Sequence, residues 1–488
     1  MAYELKKGGL PAYGMPLANE IGEKPEKKPM GFPGMMGPGP GGPGAPGGPG
    51  PGHNNDPTDD PQFPRSFKMI PTYVIENNEV TAYPTDHKLE GEIGATEAKG
   101  IKYTTDAKFI NGIVVKGDSK YTISDSYLKL DGQGVNDFEA IGAAVMATDH
   151  AELTVKDSYI ETNGVIRPCT AVCGNGTLCV ENCKVIGNSG PLPDYYDPAN
   201  PIKGPGMMEP PAGLFLGGTI RTHLSVGTTK TYYKDSWIES DSWAALSTDN
   251  GRNLYLQADN CDVIVRRVGY GVYSDGGCNV VLNDCRFNVA THGAILAGDM
   301  TAKFSGCDMK AGKYDFMAHD LSGGADSAAP VEIRGSKCYA DEACLYIKSH
   351  NLHVDIENST LTSPKYAVHA IVNDDADARV MPEDCVPYGN KLYITGSTIE
   401  GDVVNDDVRE MSIVLENSTV NGAIIGAYVK LVSSKWAANK DSKVALVDAV
   451  SLEGIDAPAG VTITAVPAAG TTLAGEYELP SGGKLIVG

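Results

Sequence analysis

The stretch YLQADNCDVIVRRVGYGVYSDGGCNVVLNDCRFNV, residues 255–289, contains the pattern that decides the fold. Two strand-like runs end in the same way, with Asn260–Cys261 and Asp284–Cys285. A turn residue followed by a small residue recurs along the chain, and the small residues form a column. Its members are Ser126, Ser158, Cys183, Ser236, Cys261, Cys285, Cys307, Ser336, Ser359, Ser397 and Ser418.

The spacing of this column predicts stacked repeats. Steps of 25, 24, 22, 29 and 23 residues separate the members from Ser236 to Ser359, a length typical of repeat architectures. Each repeat contains three short strand-like runs with polar turns, and no leucine consensus or helix-length segment. We therefore predict an all-β fold, a parallel β-helix in which equivalent residues of successive coils lie about 4.8 Å apart. Cys261, Cys285 and Cys307 would then be buried thiols.

In this pattern the chain resembles the right-handed, pectate-lyase-like β-helix repeat proteins, over roughly residues 66–450. The resemblance implies a right-handed parallel β-helix solenoid, but this architecture hosts lyases, hydrolases, isomerases and adhesins. The segments typical of pectinases, WIDH and the set NTD, DD, GHG and RIK, are absent, so no catalytic residue carries over. We expect residues 451–488 to form a C-terminal β cap.

Composition excludes some partners and indicates a compartment. The formal charge of -22 argues against nucleic acid, which needs a basic face. No apolar run has the length of a membrane span or a signal peptide, so we expect a cytoplasmic protein with reduced thiols; a chain trimmed of its leader would instead be secreted. Residues 1–65, rich in Pro, Gly and Met, predict a flexible arm or an arm that packs on a neighbouring subunit of a homo-oligomer.

Each repeat also carries a ring and, a few residues later, a carboxylate. The rings that fall in one column are Trp243, Tyr270, His292, Tyr314 and, after a gap at Ala343, Tyr366. The acidic residues that follow the first four rings are Asp249, Asp275, Asp299 and Asp320. Stacked rings either pack against one another or form a platform for a sugar or another small ring. Carboxylates about 4.8 Å apart repel by roughly 3 kcal/mol at an effective dielectric constant near 20. The acidic row is therefore solvated, shares protons or holds a divalent cation.

The longest departure from the repeat lies at about residues 187–230. Its Pro-rich first part is expected to loop out, with Tyr195 and Tyr196 as an adaptable apolar lid, together with two methionines at 207 and 208. The chain then returns to a strand, on which Arg221 and His223 alternate and are expected to share one face. Arg221 would bind a carboxylate or an oxyanion, and His223 would act as a base or a ligand; the alternative is a decorated surface loop.

These observations favour an enzyme with lyase or isomerase chemistry on a small polyhydroxylated substrate, such as an oligosaccharide or a uronate. The predicted catalytic residues are His223, Arg221, His292, Tyr270 and His319; the predicted substrate-binding residues are Trp243, Tyr195, Tyr196, Tyr273 and Tyr314; the predicted metal ligands are Asp249, Asp275, Asp299 and Asp320. One alternative is an isomerase or hydroxyl-transfer enzyme for a polyphenol. Another is a non-catalytic, carbohydrate-binding surface protein.

Overall fold

The computed structural model describes residues 70–82, 89–134, 140–196, 208–211, 214–249, 253–319, 329–373 and 389–488. The predicted arm, Met207 and Asp320 lie outside these residues. The described chain is built of β-strands without an α-helix, and the strands pair mostly in parallel, which confirms the all-β prediction. In the described part no helix has the length and apolar character to cross a membrane. The chain divides into two compact units, here called the N-terminal unit (up to Ala294) and the C-terminal unit (from Ile295).

The N-terminal unit consists of short strands of three to nine residues. They are β1 (Ile70–Glu76), β2 (Glu79–Ala82), β3 (Glu90–Ile93), β4 (Glu97–Thr105), β5 (Ile110–Lys116), β6 (Lys120–Ser124), β7 (Tyr127–Asp131), β8 (Val145–Ala147), β9 (Glu152–Lys156), β10 (Tyr159–Gly164), β11 (Thr170–Val172), β12 (Thr177–Glu181), β13 (Lys184–Ser189), β14 (Arg221–Val226), β15 (Lys230–Lys234), β16 (Trp237–Ser240), β17 (Trp243–Asp249), β18 (Leu254–Asp259), β19 (Asp262–Val265), β20 (Gly269–Ser274), β21 (Cys278–Asn283) and β22 (Arg286–Val289), and β23 (His292–Ala297) spans the boundary.

From β5 to β19, each strand pairs in parallel with the strand three positions later in the chain. In β9, β12 and β15 buried residues alternate with more exposed ones, as a sheet with one covered face requires. One buried row runs through five strands in register, through Leu153, Leu178, Thr231, Leu256 and Val280. Burying one aliphatic side chain of this size contributes about 1.5–3 kcal/mol, so such rows are the main source of stability.

The turn residues that precede the Ser/Cys column explain the sequence pattern. In the N-terminal unit they adopt left-handed backbone conformations with φ between 48° and 52°, at Asp125, Asp157, Asn182, Asp235, Asn260 and Asp284. Asn and Asp tolerate this conformation better than other residues with a side chain, which is why they recur. Cys261, Cys285 and Cys307, which follow such turns, are buried as predicted.

The serines of this column connect successive repeats by hydrogen bonds. The Ser158 hydroxyl accepts the backbone N–H of Ser126 at 3.1 Å and donates to the carbonyl of Lys156 at 2.7 Å. The Ser397 hydroxyl does the same, with the N–H of Ser359 at 3.0 Å and its own preceding strand. Each serine therefore pairs a backbone group that the sharp turn leaves without a strand partner.

The C-terminal unit continues with strands of two to twelve residues. They are β24 (Thr301–Ser305), β25 (Asp308–Ala311), β26 (Tyr314–His319), β27 (Ala329–Arg334), β28 (Lys337–Ala340), β29 (Ala343–Lys348), β30 (Leu352–Glu357), β31 (Thr360–Ile371), β32 (Asn390–Thr395), β33 (Thr398–Asp406), β34 (Met411–Glu416), β35 (Thr419–Asn421), β36 (Ile424–Val432), β37 (Lys435–Ala437), β38 (Ser442–Leu446), β39 (Ile455–Asp456), β40 (Thr462–Pro467), β41 (Gly475–Glu478) and β42 (Lys484–Val487).

The pairing period of the C-terminal unit shortens at β31. This long strand pairs with β28 through its first residues and with β29 through its last, so it fills two strand positions. Beyond it, β30, β32, β34, β36, β38 and β40 pair in succession with a period of two strands. The last two strands, β41 and β42, pair antiparallel within residues 451–488, where a cap is predicted.

Candidate active site

A buried arginine organises the polar cluster of the N-terminal unit, which we call the arginine cluster (Arg221, Trp243, Ser247, Asp249, Tyr270 and Tyr273). The Arg221 side chain is only 4% exposed, and its Nη1 donates to Asp249 Oδ2 at 2.6 Å and to Ser247 Oγ at 3.1 Å. Its guanidinium carbon lies 5.2 Å from the centre of the Trp243 ring, a cation–π contact. A buried cation is thus held by one carboxylate, one hydroxyl and one aromatic face.

Three paired strands bring these residues together. Arg221 begins β14 and is in register with Ala244 of β17, which is in register with Tyr270 of β20. Ser247 lies three residues further along β17, and its hydroxyl is 2.9 Å from the Tyr270 hydroxyl. Hydroxyl groups therefore extend the cluster from the guanidinium to a phenol.

Tyr273 adds a second phenol beside the carboxylates. Its ring centre lies 5.5 Å from that of Tyr270. Burial first, and then the negative charges of Asp275 and Asp249, raise the pKa of Tyr273 well above its usual value, while Arg221 opposes the shift. At neutral pH Tyr273 therefore carries its proton, and Asp249, the most exposed partner of Arg221 here at 21%, forms an ion pair with the guanidinium.

His223 does not belong to the arginine cluster, contrary to the expectation that it shares a face with Arg221. It is fully buried, with Nδ1 at 2.9 Å from Thr170 Oγ1 and Nε2 at 2.8 Å from Ser225 Oγ. The Tyr233 ring packs edge-on against the imidazole at 5.2 Å. Burial lowers the pKa of His223 to about 3, so it is a neutral core residue without access for a substrate.

The two tyrosines of the predicted lid have different surroundings. Tyr195 is exposed and its hydroxyl accepts a hydrogen bond from the Gln133 side chain. The Tyr196 hydroxyl accepts the backbone N–H of Met208 at 3.2 Å, and Met208 itself is fully buried. Tyr196 therefore ties the two described parts of the insertion together.

Of the predicted metal ligands, two are neighbours. Asp249 and Asp275 both act electrostatically on Tyr273, whereas Asp299 belongs to the C-terminal unit and Asp320 lies outside the described residues. Within the described ranges no three His, Cys, Asp or Glu side chains come together in a way that would hold a metal ion. A divalent cation stays a prediction. His292, also predicted to be catalytic, is buried at the start of β23.

The C-terminal unit contains a second group of titratable side chains, which we call the tyrosine–histidine cluster (Tyr314, Tyr346, Tyr366, His369 and Asp406). The Tyr314 and Tyr346 rings stack with centres 4.2 Å apart, and Tyr366 stacks on His369 at 4.2 Å. Tyr346 lies 5.8 Å from His369 at an angle of 55°. His369 Nε2 is 3.0 Å from Asp406 Oδ2.

Two buried bases lie on neighbouring strands of this unit. His319, which the sequence predicts to be catalytic, is in register with Lys348, and both are about 1% exposed. Counting residues from the Ser/Cys column does not identify Tyr346, Lys348, His369 or Asp406. The sequence signal for His369 was its position three residues after Tyr366, a ring that the count does place in the aromatic column.

No protein-family model matches the chain, and no curated relative is similar to it in sequence.

Proposed function

We propose that the chain is a right-handed parallel β-helix of the pectate-lyase-like type, and that its N-terminal unit is an enzyme for a small polyhydroxylated acid such as a uronate. Support for the solenoid comes from the pairing of each strand of β5 to β19 with the strand three positions later. Support for the activity comes from one observation, the nearly buried Arg221 between a carboxylate and an aromatic ring.

The arginine cluster matches the parts of a uronate. A guanidinium carries five N–H donors and pairs well with carboxylates, so Arg221 would bind the acid group. The hydroxyls of Ser247, Tyr270 and Tyr273 would bind the substrate hydroxyls, and the Trp243 ring would border the apolar face of the sugar. These groups are held by hydrogen bonds before a substrate arrives, which reduces the cost of organising the site.

The same groups fit a β-elimination. Asp249 would remove the proton next to the substrate carboxylate, and Arg221 would stabilise the negative charge that develops there. As the carbon–carbon double bond forms, the bond to the leaving oxygen breaks, and Tyr273 would protonate that oxygen. The Tyr273 phenol carries its proton at neutral pH, as an acid must before this step.

The test is to incubate the full chain with galacturonate oligomers and to follow the ultraviolet absorbance of the unsaturated product. Arg221→Gln should lower kcat/KM by roughly 100-fold or more, as the loss of an anion-stabilising donor does in other enzymes. Arg286→Gln is the matched control, because Arg286 forms a bidentate ion pair with Asp262 on an exposed part of the same unit. Full activity of Arg221→Gln, or no binding of uronates to the native chain, would contradict the proposal. Binding without turnover would favour the non-catalytic alternative.

A further inference from the structure

The C-terminal unit contains a histidine that is oriented for proton transfer. His369 Nε2 lies 3.0 Å from Asp406 Oδ2, and a carboxylate only accepts hydrogen bonds, so Nε2 carries the proton. The basic nitrogen of the ring is then Nδ1. The His369 side chain is 17% exposed and that of Asp406 is 58% exposed, so this pair is reached from solvent. A histidine held in this way by a carboxylate is a common proton-transfer unit.

Aromatic rings surround this pair. Tyr366 stacks on one side of the imidazole at 4.2 Å, and Tyr346 lies on another side at 5.8 Å, itself stacked on Tyr314. Tyr346 and Tyr366 are both half-buried, so their rings contribute to the accessible surface beside His369. An aromatic ligand gains from such surroundings through offset or edge-to-face contacts, which a sugar ring provides only weakly.

The acidity of the ligand hydroxyl distinguishes an aromatic ligand from a sugar. Histidine gains and loses a proton near neutral pH, so it can accept a proton only from a group that is not far weaker as an acid. A phenol hydroxyl, with a pKa of about 10 in tyrosine, is within reach, whereas a sugar hydroxyl is a much weaker acid.

We propose that the tyrosine–histidine cluster is a binding site for a polyhydroxylated aromatic ring, at which His369 accepts the proton of a phenol hydroxyl. The O–H bond of the ligand breaks, its electron pair stays on the oxygen as a phenolate, and the proton bonds to Nδ1 of His369. Asp406 positions the ring and stabilises the imidazolium that forms. This ligand differs from the uronate proposed for the N-terminal unit, and its binding site uses different residues from the arginine cluster.

The experiment measures the binding of resorcinol to the full chain by calorimetry, with cyclohexane-1,3-diol as the control that keeps both hydroxyls and lacks the aromatic ring. Resorcinol should bind and the diol should not. His369→Gln should weaken resorcinol binding by roughly 10-fold or more, since a charge-assisted hydrogen bond is lost. His353→Gln is the matched control, because His353 packs beside a tyrosine in the same unit, at 5.0 Å from the Tyr393 ring.

A second variant separates positioning from folding. Asp406→Asn changes an exposed side chain, so the unit should fold, and nitrogen NMR should report a change in the tautomer of His369 together with several-fold weaker resorcinol binding. Arg221→Gln should leave resorcinol binding intact, because Arg221 belongs to the arginine cluster. A failure of the uronate proposal can therefore be distinguished from a failure of the resorcinol proposal. Equal binding of resorcinol and the diol, unchanged binding in His369→Gln, or no binding of resorcinol to the native chain would overturn the inference.

Discussion

Acid should destabilise the N-terminal unit through His223, which is neutral in the folded state. The imidazole lies in a buried network in which Thr170 Oγ1 bonds Nδ1 and also lies 2.6 Å from the Tyr233 hydroxyl, while Ser225 Oγ bonds Nε2 and lies 2.8 Å from Thr231 Oγ1. Hydroxyls both donate and accept, so the neutral ring is satisfied at both nitrogens. A protonated imidazole would carry a positive charge, and none of these network partners is a carboxylate that could balance it.

The magnitude follows from the two pKa values. Burial lowers the pKa of His223 from 6.5 to about 3, so the stabilisation is present above pH 6.5 and is lost as the pH falls towards 3. Linkage gives a loss of about 2 kcal/mol between pH 8 and pH 5, and of about 5 kcal/mol once the pH is below 3.

The assay is urea unfolding at a series of pH values, followed by tryptophan fluorescence, since two of the three tryptophans, Trp237 and Trp243, belong to this unit. His223→Gln keeps hydrogen-bonding atoms but has no titrating group. Between pH 8 and pH 5 the free energy of unfolding of the native chain should therefore decrease by about 2 kcal/mol more than that of His223→Gln. His150→Gln is the control, because His150 is 69% exposed. An identical pH dependence in His223→Gln and the native chain would refute the reasoning.

Three further outcomes follow from buried polar groups of the C-terminal unit. Burial raises the pKa of Asp315 well above its usual value, so stability is lost as the pH rises; Asp315→Asn should remove that part of the loss in urea titrations. Ser397→Ala should cost about 1–3 kcal/mol, because the N–H of Ser359 loses its acceptor, and thermal unfolding would show a smaller loss if water replaces the hydroxyl. Arg409→Met should cost about 3–5 kcal/mol by leaving Asp407 buried without its partner, and an unchanged melting temperature would contradict this.

The strand pattern could be predicted because it depends on local backbone chemistry. Asn or Asp at a left-handed turn, followed by a small residue that fits the buried column, is visible in one sequence. The boundary after Ala294 could not be predicted, since the Ser/Cys column continues from Cys285 to Cys307 without interruption. The shorter period beyond β31 was also hidden, because one long strand there replaces two.

The candidate site could be predicted in part. Counting from the column picks out Trp243 and Tyr270, which both belong to the arginine cluster. The alternation that groups His223 with Arg221 does not give the partners of His223, which are Thr170 and Ser225. Ser225 lies on the same strand as His223, whereas Thr170 and Tyr233 come from other strands, and only the fold brings them to it. His369 and Asp406 are 37 residues apart, and no count of a fixed repeat joins them.

The serine column has a consequence for how this chain can change length. The N–H of Ser336 is accepted by Ser359, that of Ser397 by Ser418, and that of Ser418 by Ser434, at 3.0–3.1 Å. Four serines, Ser336, Ser359, Ser397 and Ser418, thus each supply an acceptor to the repeat before them and take one from the repeat after them. A duplicated repeat that carries its own turn residue and serine arrives with both halves of this connection, whereas a partial insertion leaves one N–H buried without an acceptor. The chain is therefore expected to gain or lose whole repeats, and the Ser/Cys column marks the positions at which a repeat could be added or removed.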